Sequence, residues 1–353
     1  MACTLDLYTD YLLSSTGQTS ATGLSRLTDG VVSHDQVTRW LSSSYFDSKQ
    51  LWQAAKPLAR QAEAQGPAGD EFAVLIVDDT IVEKPHTDEN ALICTHYDHS
   101  QGRYARGLNL VSLLYQGYGL ALPIAAELVE KTQGQARADG QIRWRSPLTK
   151  NELLRAMLRH AQQQVAYRYL LADSWYASAE NTQAVRGLGQ AFIFALEKSR
   201  TVALDEAARK QGQFVALDAL DFADKQPRLV YLRSVKEAVL VVRQVFSNQD
   251  GSQGTLYLVS SDTGLSYDQI TTIYQRRWKV EEYHKSLKQH TGIAHSPTRT
   301  LGTQANHFFA AMLAYIKLEA LKVKHSLGHF RLKAYLYAAG VKAMYQQLAT
   351  LTA

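Results

Sequence analysis

The chain has 353 residues, of which 46% are hydrophobic and 20% charged, with a net charge of +5. That length allows two or three domains with an ample core, and that composition excludes a disordered chain. The mildly basic balance suits a nucleic-acid partner. Two cysteines, Cys3 and Cys94, and no CxxC spacing exclude a disulfide framework and a structural zinc site. The opening MACTLDLYTD has neither a basic nor an apolar leader region, and the apolar run 308–316 is far too short to span a bilayer, so a soluble intracellular chain is expected.

Residues 1–66 read as a small helical unit of short segments broken by Gly and Ser. Ser33 with Gln36 three residues later is a capping box that opens a helix through Trp40. Short helices with Arg39 and Lys49 exposed suit a helix-turn-helix-like DNA reader, although most short helix pairs read nothing. The stretch QAEAQGPAGDE, ending near Glu71, reads as a linker.

From Phe72 the pattern changes to strands. FAVLIV is an unbroken apolar, β-branched run of the kind found in a central buried strand, and it is predicted to end at Asp78-Asp79-Thr80. Two adjacent carboxylates at a strand end are a functional signal, because a plain turn more often carries Gly or Asn there. The stretch 81–107 is predicted to be a polar loop carrying Lys84, His86, His96, Asp98, His99, Arg103 and Arg106, which line a phosphate path or are solvated. Its His96-x-x-His99 spacing has no matching pair elsewhere to complete a transition-metal site.

Strands at 108–116 and 120–129 flank Gly117-Tyr118-Gly119 and predict a hairpin. A basic stretch (Lys131, Arg137, Arg143, Arg145) precedes a helix over 149–166. RYLLAD is then a short strand ending at Asp173, a helix opens near Ser178, and AFIFAL (191–196) is another buried strand. A second strand therefore stops on an aspartate at its carboxyl end, where ligands sit in α/β sheets. Alternation over 200–260, with a turn at 248–251, predicts an inserted antiparallel β module. Two amphipathic helices, about 303–322 and 327–350, close the chain and are assigned to packing.

Between the insertion and those helices lies TTIYQRRWKVEEYHKSLKQH (271–290), which reads as one helix with Ile273, Val280 and Leu287 as its buried stripe. At roughly 100° per residue, Tyr274, Arg277, Glu281 and Lys288 project within an arc of about 60°. A carboxylate flanked by two cations and a phenol suits a metal ion that meets a phosphodiester; a solvated face of i,i+4 pairs is the plainer alternative.

Asp78 or Asp79, Asp173 and Glu281 thus stand where a hard cation such as Mg²⁺ is bound, and two such ions about 4 Å apart serve in-line phosphoryl displacement. The layout resembles the ribonuclease H-like fold. The order of acids, the β insertion before the last of them, and the Tyr274, Arg277, Glu281, Lys288 spacing resemble bacterial insertion-sequence transposases of the Asp-Asp-Glu type, in particular the insertion-sequence-4 group. DDT at 78–80 and ADSWY around Asp173 also look like blocks of that family. The resemblance covers about residues 70–325.

It implies an α/β chain: a helical DNA-binding domain over 1–66, a ribonuclease H-like core over 70–199 and 261–325 that is split by the β-rich insertion 200–260, and a C-terminal helical segment over 326–353. It implies that Asp78, Asp173 and Glu281 are catalytic and ligate two Mg²⁺ ions, with Mn²⁺ able to substitute. Tyr274, Arg277 and Lys288, joined by Lys84 and Arg103 from the 81–107 loop, would contact DNA. The partners implied are double-stranded DNA, both transposon ends and target, and a second copy of the chain in that complex, in the bacterial cytoplasm at the nucleoid. Relatives can stack a flipped base on a Trp in the insertion; residues 200–260 contain none, which leaves Phe214, Tyr231, Phe246 or Tyr257. A structure-specific nuclease on the same fold is the runner-up, and a non-catalytic DNA-binding derivative comes last because the acid triad is intact. The family pattern of acid, variable residue, then Ser or Thr favours Asp78 over Asp79, a choice that the all-apolar strand before them leaves open.

Overall fold

The structure, a computed structural model, describes residues 2–43, 46–64, 72–98, 101–136, 142–223, 225–233, 235–247 and 250–352. Residues 65–71 of the expected 61–71 linker, and with them His99, Arg137 and positions 248 and 249 of the expected turn, lie outside these residues, while 61–64 belong to the last helix of the opening unit. Helices α1 (Leu5–Ser14), α2 (Ala21–Leu27), α3 (His34–Ser43) and α4 (Ser48–Ala64) open the chain. The Ser33–Gln36 capping box forms as predicted, Gln36 Oε1 accepting from the Ser33 amide at 2.8 Å.

Strands β1 (Val74–Glu83), β2 (Cys94–Asp98), β3 (Arg103–Gly117) and β4 (Leu120–Leu128) follow. β3 and β4 are joined by Tyr118-Gly119, both with positive φ (52° and 73°), the type I′ geometry that suits a tight hairpin. A small hairpin, β5 (Gln133–Ala136) with β6 (Ile142–Arg145), precedes α5 (Lys150–Ala161), β7 (Tyr169–Ala172), α6 (Ala179–Gly187) and β8 (Ala191–Leu196). β9 (Thr201–Ala203), α7 (Glu206–Lys210), β10 (Val215–Ala216), β11 (Arg228–Leu232), β12 (Val239–Ser247) and β13 (Gln253–Ser260) make up the predicted β-rich stretch. The chain ends in α8 (Tyr267–Gln275), α9 (Lys279–His290), α10 (Leu301–His325) and α11 (His329–Thr352).

One mixed sheet runs through the molecule in the order β10-β9-β11-β12-β13-β8-β7-β1-β3-β2, with β4 also on β3. β7 lies parallel to both β1 and β8, while β3 and β13 pair antiparallel on either side. This hairpin-plus-parallel-strand centre, flanked by helices, is the α/β architecture expected of a ribonuclease H-like core. The strands after β8 continue the same sheet through the β13–β8 ladder.

Three sequence expectations are corrected. β1 does not stop at Asp78 but runs on to Glu83, because β3 holds it by an antiparallel ladder from Val74↔Gln116 to Glu83↔Gly107. Much of the predicted 81–107 loop is therefore strand, including β2. The 271–290 segment is two helices joined by a 3-10 turn over Arg276–Trp278, and it starts earlier, at the Ser266–Gln269 capping box. The stripe survives the break, for Ile273, Val280 and Leu287 are all buried. Finally, α10 is not amphipathic: every residue from Asn306 to Ile316 is buried, as befits a helix that packs on α1, α3, α4, β4 and α9 at once.

That central helix carries a buried carboxylate. Glu319 is 2% exposed and accepts from the Ala121 amide at 3.1 Å and Lys322 Nζ at 2.6 Å, while His329 Nε2 lies 2.9 Å away. Burial pushes its pKa upward, but His329 and Lys322 outweigh that and hold it below the usual glutamate range. A carboxylate lowered on folding contributes stability above its unfolded pKa and loses it as pH falls through the folded value. Glu319→Ala is therefore expected to cost about 3–5 kcal/mol in urea unfolding at neutral pH, with the difference from wild type shrinking in acid.

Candidate active site

The cleft begins where two parallel strands part. β1 and β7 are paired only from Val74↔Tyr169 to Ile76↔Leu171, and β7 ends one residue later at Ala172. Beyond that point β1 keeps its ladder to β3 but has lost its other neighbour, so Asp78 and Asp173 project into an open space. The cleft there has a volume of about 1060 Å³ and is lined by Asp78, Asp79, Asp173 and Glu281 together with Arg277, His284, Lys285 and Lys288. All three sequence-predicted acids thus meet in one place.

Each acid is held differently. Asp173 caps the 3-10 turn Ser174–Tyr176, its Oδ1 accepting from the Trp175 amide at 3.0 Å, which fixes its carboxylate at the cleft wall. Asp79 is fully engaged by protein groups: Lys150 Nζ at 2.6 Å, Asn109 Nδ2 at 2.9 Å and the Tyr176 hydroxyl at 3.1 Å. Asp78 has the Asp79 amide at 2.8 Å and Arg277 only at 3.8 Å. Burial, with the Asp79 and Asp173 charges beside it, pushes the Asp78 carboxyl up to about 7. Asp173 is likewise raised, mainly by burial, with Arg277 opposing.

The α8–α9 junction delivers the cations. Arg276 is tied back to the end of β3, its Nε to Gln116 Oε1 at 2.5 Å and its Nη2 to the Gln116 carbonyl at 2.8 Å, and its guanidinium stacks on Phe72. With Arg276 anchored outward at the 3-10 turn, the next residue, Arg277, faces the cleft and donates to Glu281 Oε1 at 2.7 Å. One helical turn on, Lys285 and Lys288 stand exposed along the same wall.

Of the residues grouped on sequence with DNA contacts, Tyr274 and Lys84 are buried, and Arg103 is exposed but ion-paired. Tyr274 is 9% exposed, and its hydroxyl donates to the Ala172 carbonyl at 3.3 Å; the break before α9 turns it inward, so it pins α8 to the end of β7. Lys84 is buried, and its ammonium donates to the carbonyls of Ala294 at 2.7 Å and Ser296 at 2.9 Å, which fastens the 292–299 loop rather than reaching phosphate. Burial lowers it to about 8. Arg103 is exposed beside the cleft and paired with Glu83 at 2.5 Å. His96 is buried against Cys94 Sγ at 3.2 Å.

Sequence reasoning missed Lys150, Tyr176 and His284. Lys150 opens α5, seventy-one residues from Asp79, and only the fold brings them together. His284 sits between Glu281 and Lys288 on α9; its Nε2 is buried with no hydrogen-bond partner among the described residues. Burial, together with Lys288 and Arg277, draws it down to about 3, so it stays neutral. Its spacing, three after Glu281 and four before Lys288, was the available signal. Next to the cleft a second cavity of about 1000 Å³ shares Tyr97, Lys150 and Trp175 and is lined by the exposed Trp144 and Tyr104.

The donor chemistry fits a hard divalent cation: several carboxylates share the cleft, and burial together with neighbouring charge pushes one of them toward neutrality. Among the described residues no three acids, histidines or cysteines form a closed metal cage, and Arg277 is the group that sits between Asp78 and Glu281.

With fold and site in view, comparison with known proteins supplies the family. Residues 70–317 match the family described as Transposase DDE domain, which is well over half the chain. The protein belongs to that family. Among curated proteins none matches the sequence. Solved structures similar to the chain include a variant of Ciona intestinalis endonuclease V in complex with a 23mer DNA containing an inosine followed by a ribo-adenosine (9% identity, TM-score 0.28, 67% of this chain and 97% of that one). Another is the same species' endonuclease V with a 24mer DNA (9% identity, TM-score 0.29, 71% and 98%). At those scores the likeness carries no argument.

The carboxylate crowding has a measurable consequence. A carboxyl raised on folding opposes stability as pH rises from its unfolded value toward about 7. Asp78→Asn is expected to raise the thermal midpoint of the protein in chelator at pH 8, and the gain should vanish near pH 4. Equal midpoints at both pH values would contradict the crowding.

Proposed function

We propose that the protein is a DNA transposase of the insertion-sequence-4 group, which cuts at the terminal inverted repeats of an insertion sequence and joins the freed 3′-hydroxyl ends to target DNA. The observation that carries this reading is the meeting of Asp78, Asp173 and Glu281 in one cleft beside Arg277, Lys285 and Lys288, within a chain of the Transposase DDE domain family. Asp78, Asp173 and Glu281 are the residues that would hold two Mg²⁺ ions, with Mn²⁺ as a substitute. When bound, such ions activate the attacking oxygen and neutralise charge on the leaving one.

The chain's own groups do the rest. Arg277 and Lys288 take the phosphate oxygens of the strand end, and the guanidinium released from Glu281 by an arriving phosphate leaves that carboxylate free. Lys150, Asn109 and Tyr176 clamp Asp79, which keeps the β1 backbone in place so that Asp78 faces the scissile bond. In cleavage, water attacks phosphorus and the 3′ oxygen departs with a proton. In joining, that 3′-hydroxyl attacks a target phosphodiester and displaces its 3′ oxygen. The 1–66 helices, with Arg39 and Lys49 exposed, are proposed to read the transposon end. Double-stranded DNA, transposon end and target, is the partner, bound by a homodimer in the bacterial cytoplasm at the nucleoid.

Glu281→Ala is expected to abolish Mg²⁺-dependent cleavage of inverted-repeat DNA while leaving end binding within about twofold, because it removes a metal ligand and not a phosphate contact. Retained nicking by the purified variant would overturn the assignment. Cleavage by wild type with no strand transfer to a target plasmid would make the protein a structure-specific nuclease. Lys288→Ala should weaken binding to all sequences alike and lower the salt slope by about one. Relaxed base preference with an unchanged slope would make it a base reader.

A further inference from the structure

Beside the catalytic cleft lies the cavity of about 1000 Å³, whose space the proposed reaction leaves unused. It stands at the upper end of the roughly 300–1,000 Å³ that small-molecule sites occupy. It adjoins the cleft directly, because Tyr97, Lys150 and Trp175 line both spaces. Its strands β2 and β3 form one edge of the sheet, with β1, β7 and β8 between them and the insertion.

Its walls are aromatic. Tyr97, Tyr104, Trp144 and Trp175 line it, each between 45% and 73% exposed. Tyr97 and Tyr104 meet edge to face with ring centroids 5.1 Å apart, and the Lys150 ammonium lies 5.7 Å from the Trp175 ring. Trp144 stands on β6 opposite Gly134 of β5. A Cβ at Gly134 would fall 3.4 Å from the indole, so the bare backbone lets that ring rest against the partner strand. Exposed rings gathered around one space mark a binding site.

One buried lining group lacks a hydrogen-bond donor. Asn109 is 2% exposed; its Nδ2 donates to Asp79 Oδ2 at 2.9 Å, and its Oδ1 has no partner among the described residues. Turning the amide over would set that oxygen against a carboxylate, so the orphaned atom is an acceptor. Lys131 and Lys150 bring positive charge to the lining, and Glu89, the single acid among the described lining residues, accepts from the Thr95 hydroxyl. Rings for a planar face, a buried acceptor for an N–H group and cations for phosphate together describe a nucleotide.

We infer that this cavity takes an unpaired nucleobase from a single-stranded stretch of the DNA whose phosphates occupy the cleft. A paired base has both faces stacked and its N–H edge engaged, so duplex DNA has nothing to place there. A free nucleotide offers the same chemistry, but the walls shared with the cleft favour a strand that continues from it. Asn109 and Lys150 also hold Asp79, so a base in the cavity would meet the clamp beside Asp78. The inference rests on the DNA-binding part of the proposed function and on no step of its chemistry.

Fluorescence anisotropy in chelator, where nothing is cut, compares a blunt duplex with the same duplex carrying a short single-stranded tail. The wild-type chain is expected to bind the tailed DNA at least about fivefold more tightly. Trp144→Ala combined with Tyr104→Ala should abolish that preference and keep blunt-duplex affinity within about twofold, while Trp144→Phe should retain it. Both positions are exposed, so the circular dichroism spectrum and thermal midpoint of the double variant show whether the body is intact. A 5-iodouracil in the tail, irradiated in the complex, should crosslink to the peptides carrying Tyr104 or Trp144. Equal wild-type affinity for the two DNAs, a preference that survives the double substitution, or crosslinks confined to residues 200–260 would overturn the inference and leave the proposed function standing. Displacement of the tail by micromolar deoxyadenosine monophosphate would also overturn it, by making the cavity a free-nucleotide site. A chain that binds neither DNA would overturn both.

Discussion

Three carboxylates brought together at the point where two parallel strands separate set the terms for the rest of the molecule. Asp78 and Asp79 lie on β1 just past its last pair with β7, and Asp173 follows the end of β7. Burial, with the like charges of Asp79 and Asp173 beside it, pushes the Asp78 carboxyl up to about 7. The surrounding structure divides the problem between its members. Asp79 is neutralised by Lys150 and two hydrogen-bond donors, Asp173 is tied to a backbone amide, and Arg277 approaches Asp78 only loosely. Asp78 is left with the weakest compensation, which fits its proposed role as a metal ligand.

The helical layer gives that site its counter-charge. A continuous helix through 271–290 would have set Tyr274 on the arc of Glu281 and Lys288. The 3-10 turn, with Arg276 tied to Gln116, instead turns Tyr274 into the core while Arg277 faces the acids. Arg277 is ion-paired to Glu281, and in the proposed function it exchanges that partner for phosphate. The neutral His284, buried one turn further along with an Nε2 that has no partner among the described residues, lines the same cleft.

Features set by local pattern were legible in the sequence. The run AFIFAL is β8, residue for residue, and Gly117-Tyr118-Gly119 makes the hairpin turn, because both depend on near neighbours. The three acids that share the cleft were singled out by motif spacing and by strand ends, although only Asp173 follows a true strand end and Asp78 lies within β1. Features set by distant partners were not legible. β1 extends through its polar half only because β3 runs alongside, Lys84 is buried because the 292–299 loop folds over it, and Lys150 reaches Asp79 across seventy-one residues. Periodicity alone assigned amphipathic character to the last two helices. The fold distinguishes them, burying α10 on all sides and leaving most of α11 bare.

Asp78 is proposed as the reactive carboxylate of the DDT segment, with Asp79 holding it in place. Two isosteric changes, each assayed for Mg²⁺-dependent cleavage of inverted-repeat DNA, decide between them. Asp78→Asn is expected to give no cleavage, and Asp79→Asn, whose amide still meets Tyr176 and Asn109, reduced but measurable cleavage. Activity in Asp78→Asn with none in Asp79→Asn would contradict that assignment.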